Sequence, residues 1–171
     1  MIEREIALDR DAVAAFIARA RRTGEERAGL PREPGKWTPC QVAAHLAGSY
    51  AAFARSLVDG VDLQTMFPEE RVATFREKVL PRILDPSGSW FPIGGSAPPE
   101  SAPPDAPGTM AETLARLADA ARAFESGCVR AAATTPDREV FHPYFGPMRI
   151  ADLLVLSAAH TRHHAAQLPE A

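Results

Sequence analysis

The sequence has little of what several common protein classes require. Its 171 residues include only two cysteines, Cys40 and Cys128, which are too few for a disulfide scaffold, although one bridge between them stays open. Lysine occurs twice, the 17 arginines are spread along the chain, and the formal net charge is −3, so no basic field attracts nucleic acid. No apolar run approaches the roughly 20 residues of a membrane span, and the N-terminus lacks a signal-peptide pattern. These absences predict a cytoplasmic, soluble protein that binds neither nucleic acid nor membrane.

Proline and histidine are present but unevenly placed. Eight of the 16 prolines lie between Pro81 and Pro107, and three of the five histidines lie in the last twelve residues. The proline-rich segment has the composition of a flexible linker. A structureless loop of about 24 residues is uncommon in a compact domain, however, so we favour an ordered crossover that is partly packed through Trp90 and Phe91.

Four segments carry apolar residues at helical spacing. They run from about 9 to 27, from 38 to 59, from 109 to about 132, and from about 150 to 167. Capping boxes at Thr38–Gln41 and Thr109–Glu112 mark two of the helix starts, and Asp9 is the expected N-cap of the first helix. A shorter helix is expected to begin near Pro68, and residues 141–147 are expected to form an ordered aromatic loop.

Four long amphipathic helices without a convincing strand period predict an all-α fold. The arrangement we expect is an antiparallel four-helix bundle. The segment of about 48 residues between the second and third long helices is long enough to be a crossover along the bundle. The length of the chain corresponds to about one domain, so residues 1–171 are interpreted as a single domain.

The spacing of two C-terminal histidines suits metal binding. His160 and His164 are four residues apart, which on a helix is about 400° of rotation and roughly 6 Å of rise, so both imidazoles share a face. The same spacing holds zinc in the H-E-x-x-H motif, but the glutamate is missing here. His163 is an alternative to His164, although it points about 100° to the side. The simpler interpretation is that these histidines only favour the helix dipole.

His45 is the candidate third ligand, because it lies on or beside the apolar stripe of the second long helix. Three neutral imidazoles around a divalent ion leave a position open for water or substrate, as in catalytic metal sites. Such an ion lowers the pKa of bound water or of a bound thiol, so we expect one of these to be the nucleophile. A hydrogen-bonded core histidine is the alternative interpretation of His45 alone.

Five further residues are candidates for the surroundings of this site. Gln167 shares the face of His160 and His164 and is interpreted as a hydrogen-bond donor to a ligand, a dimer contact or a helix-end residue. His142 is expected either to line a pocket mouth or to cap a helix. Trp37, Tyr144 and Phe145 are expected to wall an apolar pocket or to plug the ends of the core.

Three motifs carry a resemblance to a known family. Residues 37–46, WTPCQVAAHL, resemble the W-[ST]-P-x-x-[IVL]-x-x-H-[IL] signature of the DinB-like (YfiT-like) superfamily, whose members are regarded as metal-dependent enzymes. Residues 160–168, HTRHHAAQL, resemble its C-terminal H-x-x-H-H-x-x-Q-[LF] signature. Residues 142–148, HPYFGPM, resemble the H-P-x-F-G-x-[LM] stretch of a branch with no assigned function.

The resemblance implies a four-helix bundle with a long crossover between its second and third helices. It also implies a divalent metal, typically nickel or zinc, bound by the residues that match the ligand positions, which are His45, His160 and His164. Relatives with known activity mostly use low-molecular-weight thiols such as bacillithiol or mycothiol, as S-transferases or isomerases, and others are called hydrolases. Homodimers are common in the superfamily.

The sequence therefore predicts a metal-dependent enzyme of S-transferase or hydrolase type. Its three-histidine site would activate water or a thiol cosubstrate for reaction with a small molecule. The alternative is a dimeric bundle protein of stress-response type that binds a metal or a small ligand without catalysis.

Overall fold

The computed structural model describes residues 2–85, 90–92 and 95–169, and this part of the chain is mostly helical with a small two-stranded sheet. The helices are α1 (Glu3–Thr23), α2 (Glu25–Ala28), α3 (Pro39–Asp59), α4 (Glu69–Lys78), α5 (Leu80–Ile83), α6 (Met110–Thr134) and α7 (Ile150–Ala165). The strands are β1 (Glu139–His142) and β2 (Gly146–Arg149), and a 3-10 turn covers Pro99–Ser101. No described helix is both long and apolar enough to cross a membrane.

The starts of α3 and α6 follow from their capping boxes. The Thr38 hydroxyl accepts from the Gln41 amide at 3.1 Å, and the Gln41 side chain accepts from the Thr38 amide at 3.0 Å. Thr109 and Glu112 repeat this exchange at 3.2 and 2.9 Å. Each box satisfies donors that would otherwise lack partners at the helix start. The predicted starts of both helices are confirmed.

The first helix differs from its prediction. It begins at Glu3, six residues before the expected cap, because Ile2 and Ile6 pack against the core and the acidic residues Glu3 and Glu5 favour a helix N-terminus. Asp9 is therefore not a cap. It lies inside α1 with 4% of its surface exposed, and it accepts a hydrogen bond from the Tyr50 hydroxyl at 2.6 Å.

The long helices bury their apolar faces in one core. α3 packs extensively along α6, and α1 packs along α7 and also touches α6. Phe16, Leu46, Leu117 and Phe124 are fully buried at this junction of the helices. α3 and α6 approach closely at Gly127, where an added Cβ would lie 3.1 Å from the Leu57 side chain. Cys40 and Cys128 are both buried and free, so the disulfide left open by the sequence is not formed.

A hairpin replaces the loop that was expected near residues 141–147. β1 and β2 pair antiparallel, with Val140 opposite Met148 and His142 opposite Gly146, whose φ is 67°. Val140 and Met148 are both buried, so the hairpin covers the core with one face. Strands of four residues carry too short an alternation for the period of two to be recognised in the sequence.

The segment between α3 and α6 holds α4, α5 and the 3-10 turn, and residues 86–89 and 93–94 of it lie outside the described part. The Arg76 side chain of α4 donates to the Phe145 carbonyl at 3.0 Å and also to the Pro147 carbonyl, which fastens α4 to the hairpin. Of the two expected anchors, Phe91 packs against the core, whereas Trp90 is 37% exposed with the Arg82 guanidinium above its ring.

Candidate metal centre

Three histidine side chains converge where α3 meets α7. The Nε2 atom of His160 lies 3.1 Å from His45 Nε2 and 2.9 Å from His164 Nε2. We call these three residues the histidine cluster. His160 and His164 share one face of α7, as their spacing predicts, and α3 supplies His45 from more than a hundred residues earlier in the chain.

Hydrogen bonds on the far side of two rings fix their tautomers. The Nδ1–H of His45 donates to the Ser101 carbonyl at 2.8 Å, and the Nδ1–H of His164 donates to Gln167 Oε1 at 2.8 Å. A neutral imidazole has one N–H, so in both residues Nε2 is unprotonated and directs its lone pair towards His160. Partners of this kind orient metal-binding histidines and raise their basicity.

Burial keeps the cluster neutral. It is the main cause that lowers the pKa of His45, lowers the pKa of His160 well below its usual range, and lowers the pKa of His164 to about 3. The charge that each ring would bring to its neighbours lowers the pKa of His160 and His164 further. Neutral rings offer their lone pairs near neutral pH without competition from protons.

Gln167 links the cluster to the remaining C-terminal histidine. Its amide nitrogen donates to His163 Nε2 at 3.0 Å, while its oxygen accepts from His164. The Nε2 atom of His163 therefore faces Gln167, and the His163 ring lies edge-on to the His164 ring, with centroids 5.1 Å apart. Phe91 stacks on both His163 and His160, with ring centroids 4.8 and 5.4 Å apart. This contact places the segment between α3 and α6 over the cluster.

The Ser101 carbonyl reaches His45 because α3 carries a glycine at the right place. An added Cβ on Gly48 would lie 3.1 Å from Ser101 Cα and 3.3 Å from the Glu100 carbonyl oxygen. The 3-10 turn thus rests directly on the helix backbone one turn after His45. On the other side, the Trp37 ring lies 4.9 Å from the His45 ring between centroids.

The cluster opens into a pocket of about 770 Å³. All nine residues singled out in the sequence line this pocket: Trp37, His45, His142, Tyr144, Phe145, His160, His163, His164 and Gln167. His142 therefore lies at the pocket, as one of its two interpretations expects, and the Tyr144 hydroxyl donates to the Ser96 carbonyl. Tyr144 also packs on Phe67 and Phe75, so it joins the hairpin to the neighbouring segment.

Sequence reasoning missed several residues that shape the site. Ser101 contributes only its main-chain carbonyl, which every residue has, so no sequence signal identifies it. Phe91 was expected to pack but not to cover the histidines, and Phe53, which also lines the pocket, appeared only as part of an apolar stripe. Gly48 could have been noticed as a glycine inside a long helix, since such a glycine often marks a close approach.

The donor set suits a divalent transition metal. Imidazole nitrogens are ligands for zinc, nickel, copper and iron, whereas magnesium and calcium prefer oxygen. Two nitrogens bonded to one tetrahedral zinc ion at 2.0–2.1 Å are about 3.3 Å apart. The observed separations of 2.9 and 3.1 Å from His160 Nε2 are slightly shorter, and the three ligand atoms all lie within 4.8 Å of one another, so metal binding requires the rings to readjust around the ion.

The comparison with protein families agrees with the motifs. The model of the DinB superfamily matches residues 8–168, which is nearly the whole chain. The chain belongs to the DinB superfamily. This confirms the resemblance based on residues 37–46 and 160–168, while the assignment to a particular DinB branch through residues 142–148 stays a prediction. No curated protein and no solved structure matches the chain. Membership of this metal-associated superfamily and the cluster together are compatible with a metal site.

Proposed function

We propose that the protein is a metal-dependent enzyme in which His45, His160 and His164 hold one nickel or zinc ion. Its substrate is a small molecule that enters the pocket, with water or a low-molecular-weight thiol as the second reactant. The observation that carries the proposal is the convergence of three Nε2 atoms, two of which have their protons fixed on the opposite ring nitrogen.

The residues in and around the histidine cluster would have separate roles. A bound divalent ion would act as a Lewis acid that lowers the pKa of water or of a thiol. Ser101 and Gln167 hold two of the ligand rings in the metal-binding tautomer. Trp37 and Phe91 pack against the cluster and exclude water from its sides, so that reactants approach through the pocket.

Metal analysis tests the proposal directly. Protein purified without a histidine tag should contain about one nickel or zinc ion per chain. His45→Ala and His160→Ala should lose it, because two imidazoles bind far more weakly than three. His163→Ala is the matched control, since it removes a histidine from the same helix outside the cluster and should keep the metal. Equal metal content in all four proteins would contradict the ligand assignment.

We also propose the finer architecture that the superfamily implies. The four long helices would form an antiparallel bundle with the segment 60–109 as its crossover, in one domain spanning residues 1–171. The pairing of α3 with α6 and of α1 with α7 supports this arrangement. The protein would be a cytoplasmic homodimer, and light scattering after gel filtration tests the dimer because a monomer mass would contradict it.

A second candidate function has its own support in the cluster. The separations of 2.9 and 3.1 Å are hydrogen-bond distances, so an N–H on His160 Nε2 can donate to the Nε2 lone pair of His164 or of His45 without a metal. The protein would then be a dimeric bundle protein of stress-response type that binds a metal or a small ligand without catalysis. A screen of thiol cosubstrates with small electrophiles separates the two functions, because turnover that His160→Ala abolishes supports only the enzyme.

A further inference from the structure

The fifth histidine, His142, lies on the wall of the same pocket but differs from the cluster in its hydrogen bonding. It is the last residue of β1, and its ring packs against two aromatic rings. The Phe53 ring is nearly parallel to it, with centroids 5.5 Å apart, and the Phe145 ring is 5.0 Å away. These contacts fix the plane of the imidazole.

The tautomer of His142 follows from one backbone contact. The amide N–H of Tyr144 donates to His142 Nδ1 at 3.1 Å. An amide N–H can only donate, so Nδ1 must be unprotonated, and the single proton of the neutral ring is on Nε2. His45 and His164 have the opposite arrangement, because their Nδ1 atoms carry the proton.

The Nε2–H of His142 is available to a ligand. Within the described part of the chain this atom has no hydrogen-bond partner. The unpaired side-chain atoms that are fully buried there are Thr23 Oγ1 and Ser56 Oγ, so His142 Nε2 is unpaired without being fully buried. His142 is partly exposed and lines the pocket, so Nε2 is reached from the cavity. Three other pocket hydroxyls already donate elsewhere, Tyr144 to the Ser96 carbonyl, Ser49 to the His45 carbonyl and Ser101 to the Pro98 carbonyl.

The other residues that line the pocket indicate what kind of ligand fits there. Its walls include aromatic and aliphatic side chains, among them Trp37, Phe53, Leu63, Phe91 and Leu156. The charged lining residues Arg32, Lys36, Glu33 and Glu100 are exposed and balance one another formally. A neutral molecule fits such a pocket better than an ion, because it loses less hydration on entering.

We propose that His142 is a substrate-binding residue whose Nε2–H donates a hydrogen bond to a carbonyl-type oxygen on a neutral, largely apolar substrate. The inference rests on the proposed function, because it assumes that the pocket beside the histidine cluster receives the substrate. With its proton on Nε2 and its Nδ1 engaged by Tyr144, His142 is excluded from the ligand set, and its role is recognition.

The first test reads the tautomer in the metal-free wild-type protein. Long-range proton–nitrogen NMR correlations at neutral pH distinguish a protonated from an unprotonated ring nitrogen. We expect His142 to show a protonated Nε2 and an unprotonated Nδ1. A proton on Nδ1, or on both nitrogens, would overturn the proposal without any ligand being needed.

The second test measures recognition with two probes of similar shape. Acetophenone carries a carbonyl oxygen where isopropylbenzene carries a methyl group. Both are titrated by NMR into metal-free protein. His142→Asn keeps an acceptor near the Nδ1 position but loses the distant donor, and we expect the preference for acetophenone to fall by about fivefold, the effect of one net hydrogen bond. His142→Gln places an amide N–H near the Nε2 position and should restore the preference.

An unchanged preference in His142→Asn, or no recovery in His142→Gln, would overturn the proposal. Metal content is measured separately for each variant, and His142→Asn should match the wild type. A wild type without metal would refute the proposed function and leave the recognition result standing. Normal metal binding with a failed probe experiment would refute the role of His142 alone.

Discussion

Replacing Asp9 with asparagine should change how the stability of the protein depends on pH. Asp9 lies between α1, α3 and α7, where the Tyr50 hydroxyl donates to it and also lies 2.9 Å from Thr161 Oγ1. Burial, assisted by the charge of Glu125, raises the pKa of Asp9 to about 7, although the Tyr50 hydrogen bond and Arg162 act in the opposite direction.

The direction of the pH dependence follows from how many protons Asp9 binds in the folded and in the unfolded protein. Between pH 4 and pH 7 the folded protein holds a proton on Asp9 that the unfolded chain releases, since the pKa of Asp9 is about 7 when folded and 3.8 in its ordinary state. Rising pH therefore lowers the free energy of unfolding until it passes the folded pKa. Integrated from pH 5 to pH 8, this loss is about 2.5 kcal/mol.

Urea unfolding of both proteins at pH 5, 6, 7 and 8, with a chelator present, measures the effect. Asp9→Asn should gain about 2.5 kcal/mol relative to the wild type between pH 5 and pH 8. If the new amide shifts the free energy of unfolding by the same amount at every pH, this difference is not affected. The titration of the buried histidines also cancels, because both proteins contain them. Asp11→Asn, on the exposed side of α1, controls for the loss of a negative charge. A wild-type-minus-variant difference that is the same at every pH would refute the reasoning.

Two further substitutions test the support of the site. Gly48→Ala should push the Ser101 carbonyl away from His45 and weaken metal binding by about tenfold or more, which is the usual effect of losing such a hydrogen-bond partner. Isothermal titration with zinc measures the affinity. An unchanged affinity would contradict the role of the 3-10 turn. Arg76→Ala should remove two hydrogen bonds to the hairpin, including that to Phe145, and lower the free energy of unfolding by about 1–3 kcal/mol. Amide hydrogen exchange should rise in the hairpin, and an unchanged hairpin would show that α4 does not hold it.

The features that could be predicted from sequence are those determined by neighbouring residues. The capping boxes at Thr38 and Thr109 act within one helical turn, so both helix starts were found. The shared face of His160 and His164 follows from helix geometry alone, provided that the segment is a helix. Their meeting with His45 depends on how α3 and α7 pack. The apolar stripe made His45 a candidate third ligand, and the superfamily resemblance implied that it joins the other two.

The features that were missed depend on contacts that are distant in sequence. Asp9 has the local pattern of a cap, but packing of Ile2 and Ile6 extends the helix past it, and Asp9 is buried against Tyr50 instead. The hairpin forms because Val140 and Met148 are buried in the core, and neither strand is long enough for its sequence pattern to predict a strand. Tertiary packing therefore overrode the local signal in both places.

The support of His45 by a main-chain carbonyl has a consequence for how mutations would be tolerated. The residue that holds the ring does so with an atom that substitution leaves in place, so a small replacement at Ser101 should keep the contact. The constraint falls instead on Gly48, where any side chain fills the space that the turn occupies. In a saturation mutagenesis experiment, substitutions at Gly48 should therefore disturb the histidine cluster more than small replacements at Ser101, although Gly48 has no side chain that could contact a histidine ring.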